Sequence, residues 1–183
     1  MPKVVALTGT PGTGKTTLAR LAGSKGWCIL ELTQLARSSG SVVGRDEERE
    51  SDDVDTDLLR SAVEGEVVAS PPDGRILLVG HLAHLMPCDA VVVLRTSPRV
   101  LRSRLEARDW AEPKVKENVE AEAVGVILVE AMELEPPIQV YEVDTTSATP
   151  EALVTLLMEV LESGSEDLEG GWVDWSEEVM EWY

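Results

Sequence analysis

Short apolar runs alternate with longer segments of helical periodicity along this chain. Five apolar runs predict buried strands, at residues 3–7, 28–32, 75–79, 90–94 and 139–143. The fourth run is nearly continuous in valine, which is typical of a central strand in a parallel sheet. Because helical patterns fill most of the intervals, the order predicts an α/β fold, with a five-stranded parallel sheet flanked by helices.

The predicted helices are marked by apolar spacing and by residues that favour helix ends. They cover residues 15–23, 56–63, 98–107, 113–134 and 149–163, with a short helix that has Thr33 as its N-cap. Ser97 and Pro98 are an N-cap and a first helical residue. Residues 38–57 are polar with few apolar anchors. The pattern predicts one domain over residues 1–164 and an acidic, tryptophan-containing tail over residues 165–183.

A phosphate-binding motif lies between the first strand and the first helix. Residues 9–16 read GTPGTGKT and match G-x-x-x-x-G-K-[ST], which is specific when a strand precedes it and a helix follows. Its glycines let backbone amides wrap around a phosphate, and the helix adds its positive N-terminal end. We predict that Lys15 places its charge between the β- and γ-phosphates of ATP, and that Thr16 offers its hydroxyl to Mg²⁺. The sequence contains no guanine-reading N-K-x-D motif, which argues against a GTPase.

Composition restricts the partners and the cellular location. The chain of 183 residues has 34 acidic and 16 basic residues, a net charge of −18 that disfavours a DNA-binding surface. A basic protein partner, a high-salt cytoplasm and a generally soluble surface are all compatible with this charge. With no signal-peptide pattern and no apolar run that spans a bilayer, we expect a soluble cytoplasmic protein without membrane contact. Cys28 and Cys88 lie beside apolar runs, so we expect two buried free thiols.

Other segments supply the parts that a kinase of small phosphates needs: an acceptor site, cationic groups and a cover that excludes water. Residues 32–57, an insertion after the second strand, suit an acceptor site, and residues 108–114 suit a lid. Arg102, Arg104 and Arg108 follow the fourth strand. The alternative for these arginines is surface charge on a helix, which we favour for Arg102, whereas for Arg108 we favour a contact with phosphate.

Several runs of the sequence resemble the adenylate kinase isoenzyme 6 family in its archaeal form. The most specific are GHLAHLMP at 80–87 and KENVEAE at 116–122. The resemblance continues in VVVLR at 91–95, RLEAR at 104–108, VILVEA at 126–131, VDTT at 143–146 and VDWSE at 173–177. It extends over essentially the whole chain and is weakest between residues 38 and 70.

The resemblance implies a nucleoside monophosphate kinase fold and an adenylate kinase that transfers the γ-phosphate of ATP to AMP, with ATPase activity. It also implies a role in maturation of the small ribosomal subunit, through a basic ribosomal protein of that subunit. The alternative is an ATP-gated assembly factor that binds this basic protein and has little kinase turnover.

The same resemblance implies the site residues. The phosphates of ATP are held by Gly12, Gly14, Lys15, Thr16 and Thr17. The acceptor region is residues 30–53, the lid is residues 107–117 and the adenine lies near residues 145–149. Because Arg108 reaches the nucleotide from the lid, the catalytic candidates are Lys15, Arg108 and His81, and Thr16 is the metal ligand.

The sequence departs from the family pattern at the end of the third predicted strand. The family usually has an acidic residue two positions before the histidine that corresponds to His81, whereas this chain has Val79. That carboxylate normally orients a water on Mg²⁺ or the attacking group, and Asp46, Asp55 and Asp57 are candidates to replace it. His81 either positions the acceptor or a water, or caps a buried strand end.

Three smaller features have competing interpretations. His84 lies three residues after His81, yet no third metal ligand accompanies the pair, so we do not expect a metal site there. Trp110 in the lid either stacks on a base or packs, and we favour packing. The tryptophans of the tail either dock on the domain, which we favour, or bind a partner.

Overall fold

The computed structural model describes residues 1–46, 51–163 and 168–182. In these residues the strands are β1 Lys3–Thr8, β2 Cys28–Glu31, β3 Val42–Asp46, β4 Ser51–Val54, β5 Arg75–Val79, β6 Ala90–Arg95 and β7 Gln139–Asp144. The α-helices are α1 Lys15–Ser24, α2 Leu32–Ser39, α3 Thr56–Ala69, α4 Pro98–Glu106, α5 Glu112–Ala123, α6 Val126–Met132, α7 Pro150–Ser163 and α8 Ser176–Met180. Parts of the predicted acceptor region (47–50) and of the predicted tail (164–167 and 183) lie outside the described residues.

The main sheet has five parallel strands in the order β2-β5-β1-β6-β7. The predicted α/β fold with a five-stranded parallel sheet is confirmed. Its central strand β1 pairs with β5 on one side and β6 on the other, so that Leu7 is the register partner of both Val79 and Val92. The carboxyl ends of β1, β5 and β6 therefore meet at one edge, which is where open α/β sheets bind ligands.

Helices cover both faces of this sheet, because alternate side chains of each buried strand point to opposite faces. On β5, Ile76 and Leu78 pack under α2, α3 and α6, whereas Leu77 and Val79 pack under α1 and α7. Across the described residues, no helix has the length and apolarity that a bilayer span requires.

The structure differs from the sequence predictions at four places. The helix predicted over 113–134 is two helices, because Gly125 adopts a φ of 67° between α5 and α6. The N-cap of α2 is Glu31 rather than Thr33, which lies inside the first turn. The polar segment 38–57 contains the antiparallel hairpin β3–β4. Cys28 is exposed, not buried, and Cys88 is half-buried; both are free thiols.

The described part of the tail docks along the outer strand of the sheet. Glu169 forms an antiparallel bridge with Tyr141 of β7, and the amide of Gly170 donates to the carbonyl of Val140 at 3.0 Å. The interpretation in which the tail docks on the domain is confirmed for these residues. The tail thus covers part of the edge of β7, and an open sheet edge is prone to pair with another chain.

Candidate active site

The phosphate-binding loop connects the end of β1 with the start of α1. Its three glycines adopt left-handed backbone angles, with φ of 133° at Gly9, 99° at Gly12 and 102° at Gly14. At Gly9 a side chain has no room, because a Cβ would lie 2.4 Å from the carbonyl oxygen of Leu94. The loop therefore has the glycine-dependent geometry that the motif predicts.

Lys15 lies across this loop and is half-buried. Its Nζ donates hydrogen bonds to the carbonyl oxygens of Gly9 and Thr10, at 2.6 and 3.0 Å. Burial lowers the pKa of Lys15 from 10.5 to about 8. The charge of Glu122 counteracts this lowering, that of Arg108 adds to it, and that of Glu31 counteracts it. An anionic ligand on the loop stabilises the charged amine, because its opposite charge compensates for the hydration that burial has removed.

Two hydroxyls stand exposed at the N-terminus of α1, those of Thr16 and Thr17. The donor set here, an exposed Thr16 hydroxyl beside a lysine and the amides of a helix N-terminus, fits a Mg²⁺ ion that arrives with nucleotide phosphates. Among the described residues, no group of three or more His, Cys, Asp or Glu side chains forms a metal site by itself. Thr16 would therefore hold Mg²⁺ together with a carboxylate that faces the loop.

The three arginines after β6 have different environments. Arg102 forms surface ion pairs with Glu106 and Glu112 at 3.5 and 2.9 Å, which confirms our interpretation of it as surface charge. The guanidinium of Arg104 donates to the carbonyl oxygen of Thr145 at 2.8 Å and so braces the loop after β7. Arg108 is exposed just beyond α4, and its charge lowers the pKa values of both Lys15 and Arg104. Of the three, Arg108 is the one with a side chain open to solvent beside the phosphate loop.

The predicted lid begins where α4 ends at Glu106, and α5 resumes at Glu112. Trp110 packs against the apolar cluster between these helices, and the Nζ of Lys114 lies 4.6 Å from the centre of its ring. This confirms the packing interpretation of Trp110. The ring therefore anchors the connection that carries Arg108.

A buried ionic network supports the phosphate loop from behind. Glu122 of α5 accepts from the hydroxyl of Thr10 at 2.6 Å with one oxygen, and from Nε of Arg95 at 2.8 Å with the other. Arg95 also donates to Glu142 of β7. The sequence analysis missed this network. Two signals could have indicated it: an arginine that ends an apolar strand, and a glutamate at an otherwise apolar position of a helix.

The tail completes the same network. The second oxygen of Glu142 accepts from the amides of Gly171, Trp172 and Val173, at 2.9, 2.9 and 3.1 Å. Glu142 is completely buried, and a buried carboxylate is costly unless it is paired and hydrogen-bonded. Arg95 and the three amides meet this requirement together.

The two histidines occupy different positions. His84 is buried, with its ring nitrogens 3.3 Å from the hydroxyl of Thr8 and 3.1 Å from Glu130, so it links β1 to α6. The side chain of His81 is exposed at the end of β5. Its pKa is lowered because the surrounding protein disfavours the charged ring, and further by the nearby Lys15 and His84. The neutral imidazole of His81 is therefore favoured at this edge of the sheet.

The acids proposed to replace the missing carboxylate lie on or beside the hairpin β3–β4. Val79 ends β5 as a buried apolar residue. Asp55 caps α3, since it accepts from the amides of Asp57 and Leu58 at 3.0 Å each. Asp57 is exposed in the first turn of that helix. Asp46 is the last residue of β3, next to Ser51 of β4 in the register. None of the three is among the carboxylates that act on Lys15.

Solved structures of other proteins share this fold. The chain is similar to TT1252 from Thermus thermophilus, with a TM-score of 0.56 and 19% identity over 87% of this chain and 98% of that one. It is also similar to a sugar kinase from Janibacter sp. HTCC2649, with a TM-score of 0.57 and 17% identity over 90% and 97% of the two chains. At these identities the likeness concerns the fold alone.

Sequence relatives define the family. The profile of the AAA domain family, AAA_18, matches residues 5–125. A protein from Thermococcus onnurineus named "Putative adenylate kinase" is 42% identical over 177 residues, 96% of this chain and 92% of the relative. One of the same name from Pyrococcus abyssi is 43% identical over 175 residues, 95% of this chain and 92% of the relative. The chain belongs to this adenylate-kinase-like family. The likeness to the family extends along nearly the whole chain, as the sequence runs predicted.

For this member of the adenylate-kinase-like family, the lowered pKa of Lys15 predicts how nucleotide affinity depends on pH. Below pH 8 Lys15 carries its proton in the free protein, whereas above pH 8 ATP binding must be coupled to proton uptake. We therefore expect the affinity for ATP to fall above pH 8, by up to about tenfold per pH unit. Calorimetric titrations from pH 7 to 9.5, in buffers of different ionisation enthalpy, measure both the affinity and the proton uptake.

The matched control is Lys15→Arg, because a guanidinium keeps its proton throughout this range. Its affinity for ATP should vary less with pH, whatever its absolute value. An equal pH dependence in the two proteins would contradict the assignment. The pKa of Lys15 has the opposite effect on the stability of the ligand-free protein. Between pH 8 and 10.5 the unfolded chain binds more protons at Lys15 than the folded chain does, so the contribution of this group to the free energy of unfolding becomes more favourable as pH rises.

Proposed function

We propose that the protein is an adenylate kinase, which transfers the γ-phosphate of ATP to AMP in the cytoplasm. The observation that carries this proposal is Lys15 at the start of α1, with the charge of Arg108 acting on it from beyond α4. Two cations and a helix N-terminus converge on the loop, an arrangement suited to a polyphosphate. The names of the sequence relatives support AMP as the acceptor.

In this proposal the protein positions the two nucleotides and stabilises the charge on the transferring phosphoryl group, and it forms no covalent intermediate. The amides and side chains of Gly12, Gly14, Lys15, Thr16 and Thr17 hold the phosphates of ATP. An oxygen of the AMP phosphate forms a bond to the γ-phosphorus as the bond to the β-phosphate oxygen breaks, and two ADP result. Lys15 and Arg108 stabilise the charge that spreads over the transferring group. Thr16 would hold Mg²⁺, which would neutralise charge on the phosphates of ATP.

We place AMP on residues 30–53, a segment that begins at the end of β2, at the carboxyl edge of the sheet. In this segment Arg37 pairs with Asp52 at 2.9 Å, which ties α2 to the hairpin β3–β4. His81, exposed at the same edge, is suited to orient the acceptor or a water. The segment at residues 107–117, with Arg108, is proposed to close over the nucleotide and exclude water.

A second function, an ATP-gated assembly factor with ATPase activity, is favoured by two observations. Val79 ends the strand that usually supplies an acid to the metal site, which favours slow transfer. The net charge of −18 suits a basic partner, for which we propose a ribosomal protein of the small subunit. In this alternative the nucleotide changes the affinity for the partner, and turnover is low.

Product counting tests the first function against the second. The protein is incubated with Mg²⁺ and ATP, with and without AMP, and ADP and free phosphate are quantified by chromatography. A kinase gives two ADP for each ATP consumed, and only when AMP is present. ADP and free phosphate in equal amounts, regardless of AMP, would favour the ATPase and contradict the kinase.

A further inference from the structure

The structure points to Glu31 as the carboxylate that holds the hydrated Mg²⁺ of the bound ATP, an inference that rests on the proposed use of Mg²⁺ and ATP at this loop. Glu31 thus takes over the role that the end of β5 does not fill. We propose it as a positioning residue, which acts on the metal through bound water.

The need for such a group follows from the chemistry of phosphate loops. In these enzymes Mg²⁺ is held by the loop hydroxyl and by a carboxylate from a strand that ends nearby. Here β5, the neighbour of β1 on one side, ends at Val79, which is 2% exposed and packs under α1 and α7. On the other side, β6 ends at Arg95, whose side chain belongs to the buried network. Neither neighbouring strand presents an acid to the loop.

The register of the sheet brings Glu31 to the position next to Val79. β2 pairs with β5 in parallel, and Glu31 is the direct partner of Val79 in that ladder. Val79 in turn is the partner of Leu7, directly before the residue that ends β1. Glu31 is also the last residue of its strand, so it stands at the same carboxyl edge as the phosphate loop. Glu31, on the strand next to β5, thus lies at the sheet edge where the usual acid at the end of β5 is missing.

The charges of Glu31 and Lys15 act on each other across this edge. Burial raises the pKa of Glu31, and Lys15 counteracts that rise; in return Glu31 opposes the lowering of the pKa of Lys15. Glu31 is half-buried at the carboxyl edge of the sheet, where α1 begins with Lys15 directly after the phosphate loop. Bound Mg²⁺ would add positive charge that favours the carboxylate form of Glu31.

The other carboxylate that acts on Lys15 is already engaged. Glu122 accepts from Thr10 with one oxygen, and from Arg95 and the amide of Thr96 with the other. Within the residues that the structure describes, no hydrogen bond or ion pair engages the carboxylate of Glu31. Of the two acids whose charges act on Lys15, Glu31 is thus the one free to accept hydrogen bonds from metal-bound water.

The test compares Glu31→Gln with wild type by titrating Mg²⁺ at fixed ATP and measuring ATP binding by calorimetry. We expect Glu31→Gln to raise the Mg²⁺ concentration at half-saturation by about ten- to a hundredfold, the effect of losing an outer-shell group. ATP affinity in EDTA should be unchanged or tighter, because one negative charge near the polyphosphate is gone. An effect of Glu31 on structure alone would weaken binding with and without Mg²⁺ to the same extent.

Two further variants make the result decisive. Glu66→Gln removes the same charge from an exposed position of α3 and should leave the Mg²⁺ midpoint unchanged. Glu31→Asp, which keeps the charge on a shorter side chain, should give a midpoint between those of wild type and Glu31→Gln. A midpoint for Glu31→Gln equal to that of wild type would overturn the inference. These measurements need no acceptor, so the failure of AMP phosphorylation would not be mistaken for the failure of Glu31.

Discussion

Replacing Lys15 by alanine is expected to lower phosphoryl transfer to AMP by about a hundred- to a thousandfold, the loss typical when one preorganised charge-stabilising group is removed. The amine of Lys15 lies within hydrogen-bond distance of the carbonyls of Gly9 and Thr10, directly over the loop that receives the phosphates. Without it, the loop has no cationic side chain to stabilise the charge that develops on the transferring group. Initial rates of ADP formation at saturating ATP and AMP measure the effect.

The control is Lys25→Ala, which removes an exposed lysine just after the end of α1. It should retain the wild-type rate, and both variants should keep the wild-type circular dichroism spectrum. Wild-type turnover by a folded Lys15→Ala protein would contradict the assignment of the phosphate loop as the catalytic centre. If Lys15→Ala still binds ATP but forms ADP more slowly, the charge of Lys15 contributes more to phosphoryl transfer than to ATP binding.

Replacing Arg95 by methionine is expected to reduce the free energy of unfolding by about 3–5 kcal/mol, the range measured when one partner of a buried ion pair is removed. The Arg95 side chain is 4% exposed and contacts Glu122 and Glu142, which are buried as deeply. Its loss leaves two buried carboxylates without their shared cation. Urea denaturation followed by fluorescence and circular dichroism measures the change.

Arg20→Met is the comparison, because Arg20 is exposed on α1 and surface substitutions usually change stability by less than about 0.5 kcal/mol. A loss for Arg95→Met no larger than that for Arg20→Met would show that the network contributes nothing to stability. We also expect Arg95→Met to weaken ATP binding, since Glu122 is the acceptor for the hydroxyl of Thr10 in the phosphate loop. This second readout separates support of the loop from global stability.

The fold was predictable wherever a local pattern determines it. Apolar runs identified the five strands because helices cover both faces of the main sheet, and the glycines of the phosphate loop are required by its backbone angles. Gly125 shows the limit of such patterns: apolar spacing continues through it, yet its left-handed conformation ends one helix and begins another. The strand at Ser51–Val54 was missed because its polar residues lack the alternation that indicates a half-buried strand.

The candidate site was predictable only in the part that a contiguous motif encodes. Arg95, Glu122 and Glu142 are far apart in the sequence, so no local pattern shows that their charges pair. Likewise Glu31 acquires its place only through the register of β2 with β5, which no local signal specifies. The role of a charged residue that acts through distant partners can be assigned only from the tertiary structure, whereas a loop that binds phosphate through backbone amides can be recognised from its sequence motif.

The docking of the tail on Glu142 makes two distant parts of the chain energetically interdependent. The amides of residues 171–173 donate to Glu142, and Arg95 joins Glu142 to Glu122, which accepts from Thr10 in the phosphate loop. A buried carboxylate that loses its donors is costly, so release of the tail removes support from this network. The docked tail and the phosphate loop are therefore expected to behave as one cooperative unit in local unfolding.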